Sequence, residues 1–444
     1  MILVDTALRQ REAEGRPIRV GMVGAGFMGS GLALQIATAV PGMRLCAIAA
    51  RRPEQAIAAF AQTFPVEQIR RAETAAQISQ AIADGAPVVT EDPAALAAAE
   101  GLDAIIEVTG SMEYALRGVL GAIATGKHVL MMNAELDGTI GPWLRRQADR
   151  AGVLYSNVDG DQPGVQANLL RFVRGLGVRP LLSGNIKALQ DPFRTPETQR
   201  AFAEKWGQKP HMVTSFADGT KIAFEQALVA NAFDMRVAKR GMLGFDPTNK
   251  DPSQPLRNLE EYLPLLQPHL EAAEQNKPLV DFVVGARPGP GVFVIGAHRD
   301  PRQQHYLNLY KLGAGPYFLF YTPYHLCHFE APFSIARAVL FRDAAITPEG
   351  APKVGVVATA KRDLAPGDVI DALGGFDTYG EAENMAAITS EDLLPMALAE
   401  GRRVLRPVSR GQTLRFADVS QPPDGRQVDA LYAQQCALFA GQTV

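Results

Sequence analysis

The sequence predicts an α/β protein: a doubly wound parallel sheet at the N-terminus, a central α+β domain and a C-terminal β-rich module. Three observations carry this. From Ile18 to Ser156, short β-branched or apolar runs alternate with helix-like segments. The runs are apolar throughout, as strands of a parallel sheet covered on both faces are. After Ser156 the segments lengthen, and Pro/Gly loops (GARPGPGVFVIGA, KLGAGPYFLFYTPYH) separate strand-like runs. From about Pro352, short strands sit between turn signals. At roughly 150 residues per domain, a chain of 444 residues divides into about three, with expected boundaries 1–156, 157–350 and 351–444.

Each element has a local reason. Asp5 to Gly15 reads as a helix with an Asp cap and a Gly stop. Ile18 to Val23 is a strand, followed at once by a glycine-rich turn and the helix-like SGLALQIATAV. Strands are expected at Met43–Ala50, Ala86–Thr90, Ala104–Val108, His128–Met132 and Val153–Ser156, and helices at Pro53–Thr63, Pro93–Ala99, Met112–Thr125 and Trp143–Ala151. The central region offers helices at Val165–Leu176 and Thr195–Trp206, and Ser334–Phe341 reads as a helix that returns to the first domain. The C-terminal module opens with the strand Val354–Ala360.

Composition excludes several classes. Apolar residues are 47% and charged residues 20% of the chain, which excludes general disorder. With 44 Lys plus Arg against 47 Asp plus Glu, there is no basic excess to drive nucleic-acid binding. No apolar stretch is long enough for a membrane span, and no secretory leader is recognisable. Three cysteines far apart (Cys46, Cys327, Cys436) suit a reducing compartment, so a cytoplasmic protein is expected.

Gly24-Ala25-Gly26-Phe27-Met28-Gly29 is a GxGxxG element with a strand before it and a helix after it. Gly24 permits the tight turn, Gly26 lets backbone approach a diphosphate, and Gly29 lets helix and strand pack closely. The helix N-terminus, through Phe27 and Met28, offers unpaired N–H groups to phosphate. The second strand ends in Ala49-Ala50-Arg51-Arg52, with no carboxylate for ribose hydroxyls. Two guanidinium groups suit a 2′-phosphate, so NADP is favoured over NAD.

IRVGMVGAGFMGS, AARR, GKHVLMMNAELDGTIGP and GDQP together resemble the homoserine-dehydrogenase-like oxidoreductases that carry a C-terminal SAF domain. Within these the chain is similar to the 1-deoxy-D-xylulose 5-phosphate reductoisomerase-like group, down to GPYF and PYHL between Gly315 and Leu326. The resemblance implies a Rossmann domain, a central substrate and oligomerisation domain, and a SAF module of β-clip fold that acts as a carbohydrate-facing lid, an oligomer contact or a purely stabilising domain. It implies a homo-oligomer acting on a small molecule; the charge balance and the lack of an apolar span add the expectation of no nucleic-acid or membrane partner.

In a doubly wound sheet, ligands lie beyond the carboxyl ends of the strands. Thr109, Gly110 and Asn133 occupy such positions beside the cofactor, and Glu135 follows as a catalytic acid/base or as a helix-entry carboxylate. Asp159 and Asp161 could hold Mg²⁺ or Mn²⁺. Where the resembling group has Gly-Asp-Glu-Pro, however, this chain has Gly160-Asp161-Gln162-Pro163. Asp161 is otherwise a catalytic candidate or a helix cap. Lys187 is a proton donor or anion anchor. Lys221 and Glu225, four residues apart, form either a surface ion pair or an acid/base and anchor, and Asp218-Gly219 signals a hairpin. His325, in an aromatic stretch, is a substrate contact or a core histidine.

The expected function is NADP-dependent hydride transfer to or from a polar hydroxy or oxo compound, sugar-derived, sugar-phosphate or nucleotide-sugar in type. The alternatives are a metal-assisted reductoisomerase and a non-catalytic NADP-binding sensor or assembly protein.

Overall fold

The structure is a computed structural model that describes residues 3–246 and 257–441. The chain divides into two compact units. The first is built from the described residues up to Asp161, joined by Leu326–Thr347 and Arg426–Leu438. The second is built from the described residues of Gln162–His325 and Pro348–Gly425.

The first unit is a seven-stranded, all-parallel sheet. Its strands are β1 (Ile18–Val23), β2 (Met43–Ala49), β3 (Arg70–Arg71), β4 (Val88–Thr90), β5 (Ala104–Glu107), β6 (His128–Met131) and β7 (Tyr155–Asn157), in the order β3-β4-β2-β1-β5-β6-β7. The order reverses at β1, so the crevice at the switch point opens where β1 and β5 end. Val20, Met22, Ile48 and Ile106 are among the side chains this sheet buries completely, each contributing roughly 1.5–3 kcal/mol. The helix Cys327–Ala336 returns to this unit and packs on the helix Phe27–Ala39.

Several helices start earlier than their sequence signals suggest. The helix after β1 begins at Phe27, directly on the glycine-rich turn. The N-terminal helix spans Leu3–Ala13, so Asp5 lies inside its first turn and pairs with Arg9 instead of capping. The helix expected from Trp143 begins at Ala134 and runs to Arg150 with Pro142 inside it. Gln435, from the C-terminal helix Gln427–Phe439, repairs the interruption. Trp143 N–H donates to Gln435 Oε1 at 3.1 Å, and Gln435 Nε2 donates to the Thr139 carbonyl at 2.9 Å.

The second unit holds a mixed four-stranded sheet. Its strands are β8 (Arg179–Lys187), with β9 (Arg257–Asn258) outside the sheet, then β10 (Leu279–Val284), β11 (Ala286–Arg287, paired with β9), β12 (Gly291–Ala297) and β13 (Tyr317–Thr322). The order is β10-β8-β12-β13, with β10 parallel to β8 and the others antiparallel. Asp218-Gly219 does not form a hairpin: Asp218 closes the helix Pro210–Ala217, and Gly219, at φ 100°, opens the helix Thr220–Phe233. A left-handed glycine between two helices serves the same turn chemistry as a hairpin tip. The antiparallel pair β14 (Val354–Ala360) and β15 (Thr378–Asn384) begins the C-terminal part of this unit. Among the described residues, no helix is long and apolar enough to cross a membrane.

Candidate functional site

In the first unit, the β1 turn has the shape a dinucleotide needs. Gly24 sits at φ 108°, and a Cβ there would lie 2.8 Å from Thr109 Cγ2. A Cβ on Gly29 would meet the Gly24 carbonyl oxygen at 2.8 Å, so helix and turn are in direct contact. Gly26 is exposed, and a Cβ there would meet nothing within 4 Å. No side chain caps the helix that starts at Phe27, so its first N–H groups remain open to an anion. Phe27 is exposed and Met28 half-buried. Arg51 and Arg52 follow β2, are exposed, and enter no ion pair among the described residues; Arg51 lies 5.7 Å from the Tyr114 ring centre. Thr109 and Gly110 lie just past β5, where Thr109 N–H donates to Glu107 Oε1 at 2.7 Å.

Glu107 is the buried acid that the sequence reading passed over. It ends β5 with no exposure, and burial pushes its carboxyl up to about 8. The Thr109 and Asn133 hydrogen-bonding groups pull the other way, and the Glu135 charge adds to the rise. Asn133 spends its carbonyl oxygen as a helix cap, accepting from Leu136 N–H at 3.0 Å. Its Nδ2 and Glu107 Oε2 are both buried and complete no hydrogen bond among the described residues. Asn133 therefore keeps an unused buried donor at Nδ2, while its oxygen already accepts from the helix. Glu135 sits half-buried in the first helical turn, the place of a helix-entry carboxylate. Nearby, Asp137 accepts from Tyr155 Oη at 2.9 Å and Asn157 Nδ2 at 3.2 Å, and burial pushes its carboxyl to about 6.

Asp159 and Asp161 have separate commitments. Arg337 Nη1 donates to both Asp159 oxygens at 3.1 and 3.2 Å, and Ser334 Oγ donates at 3.0 Å. The Asp159 charge is thus already compensated, which does not fit a paired-carboxylate cation site. Asp161 is buried, with the Cys327 thiol 4.0 Å from Oδ1.

The second unit brings Lys187 and Glu225 together. Ser183, Asn185 and Lys187 alternate along β8 and so share one face. Gln162 and Gln166 are one turn apart on the helix Gln162–Gly175, and Glu225 and Gln226 lie on Thr220–Phe233. Asn185 is saturated. Its Nδ2 donates to Gln162 Oε1 (2.8 Å) and Glu225 Oε2 (2.7 Å), and its Oδ1 accepts from Gln166 Nε2 (2.6 Å) and Gln226 Nε2 (2.9 Å). Ser183 Oγ donates to Gln166 Oε1 at 2.7 Å. Lys187 Nζ donates to Gln162 Oε1 at 2.9 Å and lies 3.6 Å from Glu225 Oε2. The Lys187 and Glu225 side chains are only 14% and 4% exposed, so this is a charge pair held largely away from water.

Lys221 lies on the same helix as Glu225, one turn earlier, and is half-buried. His325 is half-buried in the segment after β13. Asn185, Gln166 and Gln226 were not expected to take part. The polar alternation Ser183-x-Asn185-x-Lys187 is the signal that could have identified Asn185; Gln166 and Gln226, on two helices, carry no comparable signal.

Residues 160–331 match the family model described as oxidoreductase DRL, catalytic domain, and residues 355–420 match the SAF domain. No curated protein sequence matches the chain. Among solved structures, it is similar to scyllo-inositol dehydrogenase from Lactobacillus casei, with bound NAD(H) and scyllo-inositol, at 15% identity over 63% of this chain and 73% of that one, TM-score 0.36. It is similar to 1-deoxy-D-xylulose 5-phosphate reductoisomerase from Zymomonas mobilis, in complex with NADPH, at 20% identity over 48% and 57%, TM-score 0.34. A third is the WlbA dehydrogenase from Bordetella pertussis, in complex with NADH and UDP-GlcNAcA, at 21% identity over 43% and 51%, TM-score 0.29. In the last two, the chain spans little more than half of the matched protein's own length. On its two domain matches, the chain carries a DRL-type oxidoreductase catalytic domain followed by a SAF domain.

Proposed function

We propose that the protein is an NADP-dependent oxidoreductase that moves hydride between the nicotinamide and a polar hydroxy or oxo compound. The observation that carries this reading is the buried Lys187–Glu225 pair, fixed by Asn185 and Gln162 inside the oxidoreductase domain. The open Gly26 backbone and the uncapped helix at Phe27 fit a diphosphate, and the unpaired Arg51 and Arg52 fit a 2′-phosphate. When bound, the nicotinamide supplies or accepts the hydride; the side chains manage the oxygen and its proton.

Lys187 is the group for that oxygen. An ammonium carries three donors, and among the described residues two are directed at Gln162 and Glu225. The third is left for a carbonyl or hydroxyl oxygen, where it stabilises developing negative charge or delivers a proton. Glu225 lies beside the amine, Oε2 3.6 Å from Nζ, and its own orientation is set by Asn185. Lys221 and His325 of the second unit are kept in this reading as candidate substrate contacts, and Glu135 and Asp161 as candidate carboxylates of the first unit. No divalent cation is assigned to Asp159, whose charge Arg337 takes up. Sugar acids, sugar phosphates and nucleotide sugars are the compounds to try first, because a fixed ammonium suits anionic, oxygen-rich compounds.

The test is a screen of these compounds by NADPH absorbance, with transfer of deuterium from 4-deuterated NADPH to product. Label in a product supports the reading. Tight NADPH binding with no label in any product would favour a non-catalytic sensor instead.

A further inference from the structure

Resting on the reading that Lys187 and Glu225 form the acid/base pair, we propose that the SAF module aims that pair, with Lys361 as the positioning residue. Lys361 follows β14 and is buried, its side chain 2% exposed. All three of its protons are spent on protein: Nζ donates to Asp218 Oδ2 at 2.7 Å, the Gly375 carbonyl at 2.8 Å and the Arg194 carbonyl at 2.9 Å. None remains for a ligand.

Two of these acceptors belong to the segments that deliver the pair. Arg194 lies in the loop that leaves β8 directly after Lys187. Asp218 sits in the turn that opens the Glu225 helix, where its Oδ1 accepts from Thr220 N–H at 2.8 Å. One ammonium therefore ties both segments to the module.

Neighbouring contacts repeat the pattern. Asp191 N–H donates to the Ala217 carbonyl at 2.8 Å, joining loop and turn. The Arg410 guanidinium lies 3.7 Å from the Phe193 ring centre, and Phe193 meets Tyr379 of β15 edge-on at 6.2 Å. Gly380 N–H donates to Thr220 Oγ1 at 2.9 Å. The far end of the helix is held too: Asn231 Oδ1 accepts from Lys353 and Val354 N–H, and Asn231 Nδ2 donates to the Val354 carbonyl. The β14–β15 hairpin thus grips the Glu225 helix at both ends and the Lys187 loop at one.

The test reads Lys187 itself. Full-length protein is acetylated with trace sulfo-N-hydroxysuccinimide acetate at pH 8. The rate at Lys187 is then measured by peptide mass spectrometry against Lys277, which is paired with Asp234 at the surface. In Lys361→Met, Lys187 is expected to react at least about five-fold faster because its loop opens locally, with Lys277 unchanged. The double variant Lys361→Met/Asp218→Asn neutralises the stranded carboxylate, keeps an oxygen for the Thr220 N–H and recovers melting temperature. It still cannot hold the Arg194 carbonyl, so Lys187 stays reactive.

Arg362→Gln weakens the Arg362 pairs with Asp368 and Asp377 in the same module and is expected to leave Lys187 protected. Wild-type reactivity in Lys361→Met, or protection that returns with melting temperature in the double variant, overturns the proposal. If neither Lys361 variant folds, Arg410→Ala decides: an increase of about two-fold or more supports coupling, and none refutes it. Failure of the functional reading is separate, since turnover that survives loss of the Lys187 amine removes the acid/base role and leaves the coupling intact.

Discussion

Replacing Glu107 by glutamine isolates the cost of an acid buried at the end of β5, beside the glycine-rich turn. Burial, with a smaller contribution from the nearby Glu135 charge, lifts its carboxyl from an ordinary 4.5 to about 8. An acid raised on folding keeps a proton that the unfolded chain has released. Stability therefore falls as pH rises from the unfolded value to the folded one. At about 1.4 kcal/mol per unit, the wild type loses on the order of 3 kcal/mol between pH 5 and pH 7.5 from this group alone. Glutamine has no proton to hold. It keeps an oxygen for the Thr109 N–H and removes the slope. Asp137, raised to about 6, titrates in both proteins and cancels in the difference. The assay is urea denaturation at pH 5, 6, 7 and 8 in a Trp206→Phe background, so that Trp143, on the helix Ala134–Arg150, reports the first unit. Wild-type and Glu107→Gln stabilities should converge at pH 5 relative to their separation at pH 8, where the variant gains. Parallel curves across that range would refute a protonated Glu107.

Three further outcomes are expected. Arg51→Glu should raise the NADPH dissociation constant at least about ten-fold and the NADH constant far less, because a charge-assisted phosphate contact is lost only for NADPH; equal losses in calorimetry would remove the 2′-phosphate assignment. Lys187→Ala should spare NADPH binding and cut kcat by about 10² or more once a substrate is found; retained turnover would place Lys187 outside the chemistry. Gln435→Leu should destabilise the first unit by roughly 2–4 kcal/mol, since it strands the Trp143 N–H and the Thr139 carbonyl at the Pro142 interruption; an unchanged denaturation midpoint would show that these groups find other partners.

The parallel sheet was legible because its signals are local. A β-branched run, a glycine turn and a helix follow one another within about 20 residues, and the strands are apolar on both faces. Helix starts were harder to read where stop signals stood inside helices. Gly138, Gly141 and Pro142 are helix-breaking residues ahead of Trp143, yet the helix Ala134–Arg150 continues through all three. Its continuity depends on a glutamine almost 300 positions away, which no window on the sequence contains. The terminal helix Gln427–Phe439, expected within the C-terminal module, likewise belongs to the first unit through contacts that span the chain.

The candidate site shows the same division between local and distant causes. Lys187 and Glu225 could be chosen one by one as charged groups near loops, but their pairing required the fold, because β8 and the Glu225 helix meet through tertiary packing alone. Asn185 explains why the pair is held in one arrangement. Both amide protons and both carbonyl lone pairs are used, so flipping the amide would put donors against donors at Gln166 and Gln226 and an acceptor against the Glu225 carboxylate. That fixed amide makes Gln162 Oε1 an acceptor and so turns the Lys187 ammonium toward it. An acid at position 162 would bind the ammonium as a second carboxylate. The neutral amide orients Lys187 without cancelling its charge, which in the proposed reading is the charge offered to a substrate oxygen.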